Sequence, residues 1–468
     1  MFELGIWITS EFKAGGLNVY TILPFLHVAD FFGFAPNSTN VIDIARSIQT
    51  VIIGGSTSVF IYLSGKKLFK GEAYGYVSGI LFIVSPGFYA YSRFAYPDHF
   101  IYFFSAGVLY FLIRYLDNKL KTDLILAAVF ASLALSVKYT GVFLFVPIII
   151  ATYLGTAPKA NSLSRLKNGL LSLGWPIAIS GFIFILINLS ALLQPKLFIN
   201  GILFNSSNYN NFSGQFFENL TYYFIASYGI SFGLLGSPLI LMGLFDQFKK
   251  NWGVFLILVS FPMTFMFYLS TFGLSLNRNI SIALPFLIIP LVASIKLLVN
   301  KFATGGFKVR LFVSFILIFA IGFGTGQFFY SLYRDFHKDS SVLANKWIGE
   351  NLDGFAVIGI NSGCSGESPA DGFGFETVHD PEISQNLSIY VLNSYWDNPF
   401  SPYYRDSRPY WLELDQKYIH FYHFNDKRIA VFPKNRIIIE RLVPAGYVLE
   451  KIFSSNGPDI IIIRKETE

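Results

Sequence analysis

Residues 91–116 read YSRFAYPDHFIYFFSAGVLYFLIRYL, a short polar stretch followed by an apolar run that begins at His99. The run from His99 to Leu116 approaches the ~20 residues that a helix needs to cross a lipid bilayer. The rest of the chain has the same character, since 53% of its 468 residues are hydrophobic and only 14% are charged. Its mean hydropathy is +0.50. This composition excludes a soluble enzyme, a disordered chain and a nucleic-acid-binding protein, and it predicts a protein that spans the membrane several times.

Ten apolar segments are candidates for membrane-spanning helices. They are Ile42–Leu63, Tyr74–Ser92, His99–Leu116, Leu124–Val137, Gly141–Leu154, Gly169–Leu193, Thr221–Phe245, Trp252–Thr271, Asn279–Val299 and Leu311–Tyr333. The fourth and fifth are short and are separated by Lys138, Tyr139 and Thr140, so they fit either two short spans or one re-entrant pair. The sequence therefore predicts an all-α polytopic membrane protein with about ten transmembrane helices.

Basic residues are concentrated in every second loop between these segments. The basic loops and their borders carry Lys66, Lys67, Lys70, Arg114, Lys119, Lys121, Lys159, Arg165, Lys167, Lys249, Lys250, Lys301, Lys308 and Arg310, whereas the alternate loops carry Arg93, Lys138, Lys196 and Arg278. Because cytoplasmic loops are enriched in lysine and arginine, the basic loops are predicted to face the cytoplasm. The segment before Ile42, the loop 194–220 and everything after about Tyr333 are then external.

The composition changes after residue 333, where charged residues, Asn, Asp, Pro and Gly become frequent again. We predict a transmembrane domain over residues 1–333, in which 1–41 is the remnant of an external loop. Residues 334–468 are predicted to form a small, soluble, extracytoplasmic α/β domain. Its predicted helix is Ser340–Glu350, and its predicted strands are Ala356–Ile360, Arg428–Phe432 and Asp459–Ile463.

Four ionisable residues of the predicted outer face are candidates for chemistry: Arg93, Asp98, Lys138 and Arg278. Three cations and one carboxylate at one membrane face suit an anionic lipid head group, because cations bind phosphate and the carboxylate can act as a general base. Structural interpretations stay open for three of them. Asp98 follows Pro97 and would be a good helix N-cap, Lys138 can snorkel to the interface, and Arg278 can anchor a helix there.

Metal chemistry has little support from residue types. The single cysteine, Cys364, excludes a disulfide framework within the chain and a cysteine-cluster metal site. His420 and His423 resemble a metal pair, but residues three apart on a strand face opposite sides, so no metal site is predicted there. No cofactor is identified, and a divalent cation is compatible with the outer-face set.

The same residues resemble a known family. The run Tyr91–Asp98 resembles the second external loop of C-type membrane glycosyltransferases, in the branch that contains the protein O-mannosyltransferases and the aminoarabinose transferase of lipid A. Further landmarks of this family occur in the same order along nearly the whole chain. They are Gly15–Asn18, Leu23 with Pro24, Arg46, Lys66–Lys70, Ser136–Tyr139, Arg278 with Pro285, and Ala344–Asn351.

This resemblance implies a polytopic helical fold with its active site at the outer membrane face. The implied reaction is the transfer of a sugar from a polyprenyl-phosphate-linked donor to an extracytoplasmic acceptor, which is a lipid, a glycan or a protein. Asp98 matches the family's acidic residue in the second external loop and is the predicted catalytic residue. The predicted substrate-binding residues, which match the family's donor contacts or adjoin them, are Arg93, His99, Lys138, Tyr139 and Arg278.

The N-terminal residues depart from the family pattern. The family carries an Asp, often Asp-Glu, in its first external loop, just after its first helix. Counted back from Gly15 and Gly16, Glu3 lies near the Glu of that pair, and Phe2 stands where the Asp is expected. We therefore expect a first transmembrane helix before Met1, and Glu3 is the second catalytic candidate.

Together these features predict a glycosyltransferase of the cell envelope, in the plasma (inner) membrane, that acts in lipid or protein glycosylation. Its expected partners are the lipid-linked sugar donor, the acceptor and membrane lipid, without nucleic acid. One alternative is a secondary transporter or flippase, which would carry ionisable groups at the bilayer midplane and show related halves. The other is a catalytically degenerate family member or a fragment, which the missing loop Asp suggests.

The predicted orientation can be tested with reporters of membrane sidedness. A reporter fused after Lys67 or after Lys167 is expected to report a cytoplasmic position, because both residues lie in basic loops. A reporter fused at Glu468 is expected to report an external position. A cytoplasmic signal at Glu468 would reverse the orientation and move Asp98 to the inner face.

Overall fold

The structure is a computed structural model of the chain. It describes residues 17, 23–33, 39–88, 98–155, 162–189, 193–210, 216–272, 277–308, 310–311, 313–314, 350, 357–360, 376–379, 389–393, 421–424, 427–430, 447–453 and 460–465. Contacts between residues divide the chain into two compact units, Met1–Phe328 and Phe329–Glu468. The first unit is helical in its described part, and the second contains strands.

The described helices of the first unit follow the predicted apolar segments, with two additions. In chain order they are α1 (Leu23–Phe31), α2 (Thr39–Phe69), α3 (Glu72–Ile83), α4 (Asp98–Asn118), α5 (Lys121–Val137), a 3₁₀ helix (Tyr139–Leu144), α6 (Phe145–Gly155), α7 (Ser162–Ile187), α8 (Pro195–Asn210), α9 (Phe216–Lys250), α10 (Trp252–Ser270), α11 (Asn277–Ser281) and α12 (Leu284–Thr304). Within the described part, α4, α10 and α12 are long and apolar enough to cross a membrane. The predicted helical fold of this unit, with apolar helices long enough to cross a membrane, is confirmed.

The structure corrects several of the predicted boundaries. The predicted ninth span, Asn279–Val299, is divided into α11 and α12, because Ile282 and Ala283 form a turn and Pro285 suits the first turn of a new helix. Two helices were not predicted, α1 and α8. The predicted tenth span, Leu311–Tyr333, lies almost entirely outside the described residues.

The core of the first unit is built from apolar side chains of α2, α4, α5, α10 and α12. Aromatic rings dominate it where α2, α4 and α5 meet. Phe60 contacts Phe103 and Phe111 of α4 and also Phe130 of α5, with ring centroids 5.2–6.1 Å apart. Such edge-to-face and tilted contacts add to the energy of apolar burial and hold α4, the helix that begins at Asp98, against its neighbours.

Ion pairs join helix ends at the far end of α4 from Asp98. Asp117 of α4 pairs with Lys67 of α2, and Asp123 of α5 lies 3.2 Å from the Arg114 guanidinium of α4. The Lys296 ammonium of α12 donates a hydrogen bond to the Phe69 carbonyl at 3.1 Å. These residues come from the ends that the sequence predicts to be cytoplasmic, so the two ends of α4 carry different polar clusters.

The second unit contains a five-stranded sheet in the order β2-β1-β3-β7-β6. Its strands are β1 (Val357–Ile360), β2 (Glu376–His379), β3 (Ile389–Asn393), β6 (Tyr447–Phe453) and β7 (Ile460–Lys465), and β4 (Phe421–Phe424) pairs separately with β5 (Lys427–Ala430). β1 is parallel to β2 and β3, and β7 is antiparallel to β3 and β6. Strands β1, β5 and β7 overlap the three predicted strands. The predicted helix Ser340–Glu350 lies outside the described residues except for Glu350, so the α/β domain stays a prediction.

Close packing of α9 on α12 depends on a glycine. A Cβ atom at Gly243 would lie 1.8 Å from the Pro290 carbonyl oxygen, which is backbone and cannot rotate away. Gly243→Ala is therefore expected to lower the free energy of unfolding by ~1–3 kcal/mol through overpacking. Thermal unfolding of the purified protein in detergent would measure this loss.

Gly174→Ala in α7 is the matched control, because a Cβ atom there meets open space. Its expected effect is neutral or stabilising by up to ~1 kcal/mol, since alanine favours helix. Equal melting temperatures for the two variants would contradict the packing of α9 on α12 described here.

Candidate functional site

Asp98 begins α4 and is almost completely removed from solvent. Its side chain is 2% exposed, and its Oδ1 atom lies 2.8 Å from Nζ of Lys138. A carboxylate in the first turn of a helix is stabilised by the partial positive charge of the helix N-terminus. The ammonium of Lys138 donates a hydrogen bond to this carboxyl group, so an ionised Asp98 would be paired with a cation.

Lys138 is positioned by a tight turn between α5 and the 3₁₀ helix. Its backbone is extended (φ −150°, ψ 131°) and ends α5 by donating from its N–H to the Ala134 carbonyl at 2.9 Å. Its own carbonyl accepts a hydrogen bond from the Gly141 N–H at 2.8 Å. Gly141 needs to be glycine here, because a Cβ atom would lie 2.5 Å from the backbone of Ala134 and Leu135.

The ion pair between Asp98 and Lys138 bears on their structural interpretations, Asp98 as an N-cap and Lys138 as a snorkelling lysine. Asp98 lies inside α4 as its first residue, and its carboxylate contacts the Lys138 ammonium. Lys138 is 22% exposed, and its charge is directed at the carboxylate as well as toward solvent. An N-cap and a snorkelling lysine would need no such pairing.

A buried hydrogen bond connects α4 with α11. The Tyr102 hydroxyl, one turn after Asp98, donates to Oγ of Ser281 at 2.6 Å. Ser281 ends α11, the short helix that contains Arg278. The backbone of Arg278 therefore lies in an element tied to the first turns of α4, while its side chain falls outside the described residues.

An apolar helix lies beside the Lys138 turn. The ring of Tyr139 contacts the ring of Phe198 in α8, edge to face, with centroids 5.8 Å apart. On α8 the side chains of Leu197, Ile199 and Leu203 are exposed. Exposed apolar side chains on a helix that also carries polar residues are typical of a helix at a membrane interface.

The other predicted site residues are distributed as follows. His99 is buried, with its ring 4.6 Å from that of Phe100. Arg93 and Glu3 lie outside the described residues, so the structure brings together Asp98, His99, Lys138 and Tyr139 of the predicted set. Among the described residues, no group of three or more His, Cys, Asp or Glu side chains is arranged to hold a metal ion.

Sequence reasoning missed three buried hydroxyl groups near this turn. Ser132, Ser136 and Thr140 have hydroxyl oxygens without a hydrogen-bond partner among the described residues. Ser132 and Ser136 lie one turn apart on α5, just before Lys138, and Thr140 follows it. Their four-residue spacing was the available signal, but serines are common in membrane helices and the spacing alone does not distinguish them.

The site combines a buried carboxylate, an ammonium group and an apolar wall. The carboxylate can accept a proton from a hydroxyl or an amine, and the ammonium can hold an anionic phosphate. The apolar helix α8 suits the hydrocarbon part of a lipid. This combination fits chemistry on a lipid that carries a phosphate.

A known protein family matches part of the first unit. Residues 41–187 match the family described as dolichyl-phosphate-mannose-protein mannosyltransferase. The predicted family resemblance is confirmed. The matched segment contains Asp98, Lys138 and the helices that carry them, and the match bears out the predicted enzyme class, a membrane glycosyltransferase. No curated protein matches the chain by sequence.

Solved structures share the fold at low sequence identity. The apo crystal structure of ArnT from Cupriavidus metallidurans is 13% identical, with a TM-score of 0.52 over 84% of this chain and 86% of that one. The same protein bound to undecaprenyl phosphate gives 11% identity and a TM-score of 0.53, with the same coverage. The archaeal oligosaccharyltransferase AglB from Archaeoglobus fulgidus was solved in complex with an inhibitory peptide and a dolichol-phosphate. It is 12% identical, with a TM-score of 0.50 over 82% of this chain and 62% of that one. The chain therefore has the fold of these membrane proteins.

The link between α4 and α11 can be tested through the Tyr102 hydroxyl. Tyr102→Phe is expected to lower the free energy of unfolding by ~0.5–1.5 kcal/mol, because it removes a buried hydrogen bond to Ser281. Tyr110→Phe on the same helix is the control, since the structure gives the Tyr110 hydroxyl no hydrogen bond among the described residues. Thermal unfolding of both variants measures the difference, and equal stabilities would contradict the link.

Proposed function

We propose that this protein transfers a sugar from a polyprenyl-phosphate-linked donor to an extracytoplasmic acceptor, with Asp98 and Lys138 at the centre of the site. The observation that carries the proposal is their 2.8 Å ion pair, which lies inside the segment that matches the mannosyltransferase family. The two residues are 40 positions apart in the sequence, Asp98 at the start of α4 and Lys138 in the turn after α5. A base and a phosphate-binding cation are thus adjacent.

The proposed reaction is a direct displacement at the anomeric carbon of the donor sugar. Asp98 accepts the proton of the acceptor hydroxyl or amine, whose oxygen or nitrogen forms the new bond to the anomeric carbon. The bond between that carbon and the phosphate oxygen breaks, and its electron pair leaves with polyprenyl phosphate. Because phosphate is a good leaving group, the reaction needs charge stabilisation more than a general acid, and Lys138 supplies it.

The remaining predicted residues have supporting roles in this proposal. Arg278 and Arg93 add cations for the donor phosphate or the sugar, and His99 and Tyr139 line the substrate site. The hydrogen bond between Tyr102 and Ser281 supports a position for Arg278 close to the start of α4. Glu3 is proposed as a second carboxylate of the catalytic centre.

The lipid part of the donor is proposed to lie against α8. This helix exposes apolar side chains and contacts Tyr139, next to Lys138. The structural relatives support a lipid phosphate as ligand, since ArnT was solved with undecaprenyl phosphate and AglB with a dolichol-phosphate. A donor held this way has its phosphate at Lys138 and its chain in the hydrocarbon region.

The finer architecture belongs to the same proposal. About ten transmembrane helices within residues 1–333 form the catalytic domain, and residues 334–468 form a soluble α/β domain on the extracytoplasmic side of the plasma (inner) membrane. The three helices long enough to cross a membrane and the strands of the second unit support this arrangement. In this orientation the Asp98 end of α4 faces outward, where the acceptor is.

Sugar transfer by the purified protein in liposomes tests the proposal. Polyprenyl-phosphate-linked sugar is supplied, and the release of polyprenyl phosphate is measured in the presence of candidate acceptors. Asp98→Asn, which keeps the side-chain volume, is expected to reduce turnover by about a hundredfold or more through loss of the base.

Asp117→Asn is the matched control for this experiment. Asp117 lies on the same helix and also pairs with a lysine, but at the opposite end of α4. Its substitution is expected to leave turnover unchanged. Full turnover of Asp98→Asn would remove Asp98 from the chemistry, and absence of release by the unaltered protein with every donor would contradict the function.

A further inference from the structure

The ion pair between Asp98 and Lys138 sets a conflict for the proposed donor site. Asp98 is withdrawn from water, so its charge depends on contacts within the protein. Lys138 provides one of these contacts, and it is also the cation expected to hold the donor phosphate. A phosphate that binds Lys138 must approach a carboxylate 2.8 Å from the same ammonium, and the two anions repel each other.

The surroundings of Lys138 allow its ammonium to move while its backbone stays in place. Hydrogen bonds to Ala134 and from Gly141 fix the backbone on both sides, and Gly141 packs directly on α5. The side chain is partly exposed, in contrast to Asp98. A lysine side chain has a flexible four-carbon stem with a compact charge at its end, so it can exchange one anionic partner for another.

We propose that Lys138 is shared between Asp98 and the donor phosphate, so that donor binding converts Asp98 into an active base. In the empty site Lys138 neutralises the Asp98 carboxylate. Donor binding draws the ammonium onto the phosphate, and the carboxylate becomes able to accept a proton from the acceptor. This inference rests on the proposed function and adds an order to it, with the donor bound before the acceptor is deprotonated.

The return of Lys138 completes the cycle with balanced charges and protons. After transfer, Asp98 holds the acceptor's proton, and polyprenyl phosphate carries the charge of its new monoester, about −1.5 to −2 at neutral pH. Departure of this product returns the ammonium to the carboxylate. The returning ammonium pairs again with the ionised carboxylate, and the proton passes to solvent. While no donor is bound, the Asp98 carboxylate stays paired with Lys138 and does not deprotonate an acceptor that has no sugar to receive.

A permanent salt bridge makes the opposite prediction about binding. If Lys138 never leaves Asp98, the pair only positions the turn, and replacing Asp98 disturbs the site or leaves it unchanged. If Lys138 is shared, Asp98 competes with the phosphate for the ammonium. Removing the Asp98 charge then improves binding of the lipid phosphate while it abolishes turnover.

The test is an affinity measurement with polyprenyl phosphate itself, on the purified protein in detergent at neutral pH. Asp98→Asn is expected to bind polyprenyl phosphate about tenfold more tightly than the unaltered protein, and Lys138→Met about tenfold or more weakly. In the double variant the gain from Asp98→Asn should largely disappear, because the contested ammonium is absent. Lys138→Arg keeps the charge and should retain binding.

The controls separate this inference from the proposed function. Asp117→Asn should leave the affinity unchanged, since its lysine partner is at the other end of α4. Unchanged or weaker binding by Asp98→Asn would overturn the sharing of Lys138 while the function stands. Failure of the unaltered protein to bind polyprenyl phosphate would instead overturn the proposed function, and with it this inference. Asp98→Asn alone decides the outcome if Lys138→Met does not fold.

Discussion

A buried carboxylate at the start of an apolar helix is the constraint on which the site depends. Asp98 is the first residue of a helix whose middle part is largely apolar, and its side chain is nearly inaccessible to water. An ionised carboxylate in such a position is stabilised by a cation and by the positive end of a helix dipole. Lys138 supplies the cation, and the ion pair joins the C-terminal end of α5 to the start of α4.

The backbone around Lys138 is shaped to place its side chain next to Asp98. The chain leaves α5 in an extended conformation at Lys138 and comes back against α5 at Gly141. Only glycine fits there, because a Cβ atom would clash with the backbone of Ala134 and Leu135. The aromatic contacts of Phe60 and the hydrogen bond from Tyr102 to Ser281 hold α4 between α2 and α11. The ion pair thereby lies at a junction where several helices are held together by close contacts.

Long apolar segments were predictable from the sequence, and junctions between helices were not. Trp252–Ser270 and Asp98–Asn118 agree with the predicted spans to within two residues at each end, because hydrophobic runs of that length favour a helix in lipid. Helix α8 was missed because its apolar residues are mixed with asparagines. The start of the ninth span was wrong because hydropathy does not register a short turn before proline. Asp98 and Lys138 were both selected as site residues, yet their pairing depends on tertiary packing that no local pattern encodes.

The most direct test of the account is to locate bound lipid phosphate on the protein. A polyprenyl phosphate with a photoreactive diazirine in its first isoprene unit can be cross-linked to the purified protein, and the labelled peptides identified by mass spectrometry. The account predicts labels in Tyr139–Leu144 and in Pro195–Asn210, which diminish when Lys138 is replaced by Met. Labels confined to the opposite end of α4, around Lys67 and Asp117, and unaffected by that substitution would contradict it.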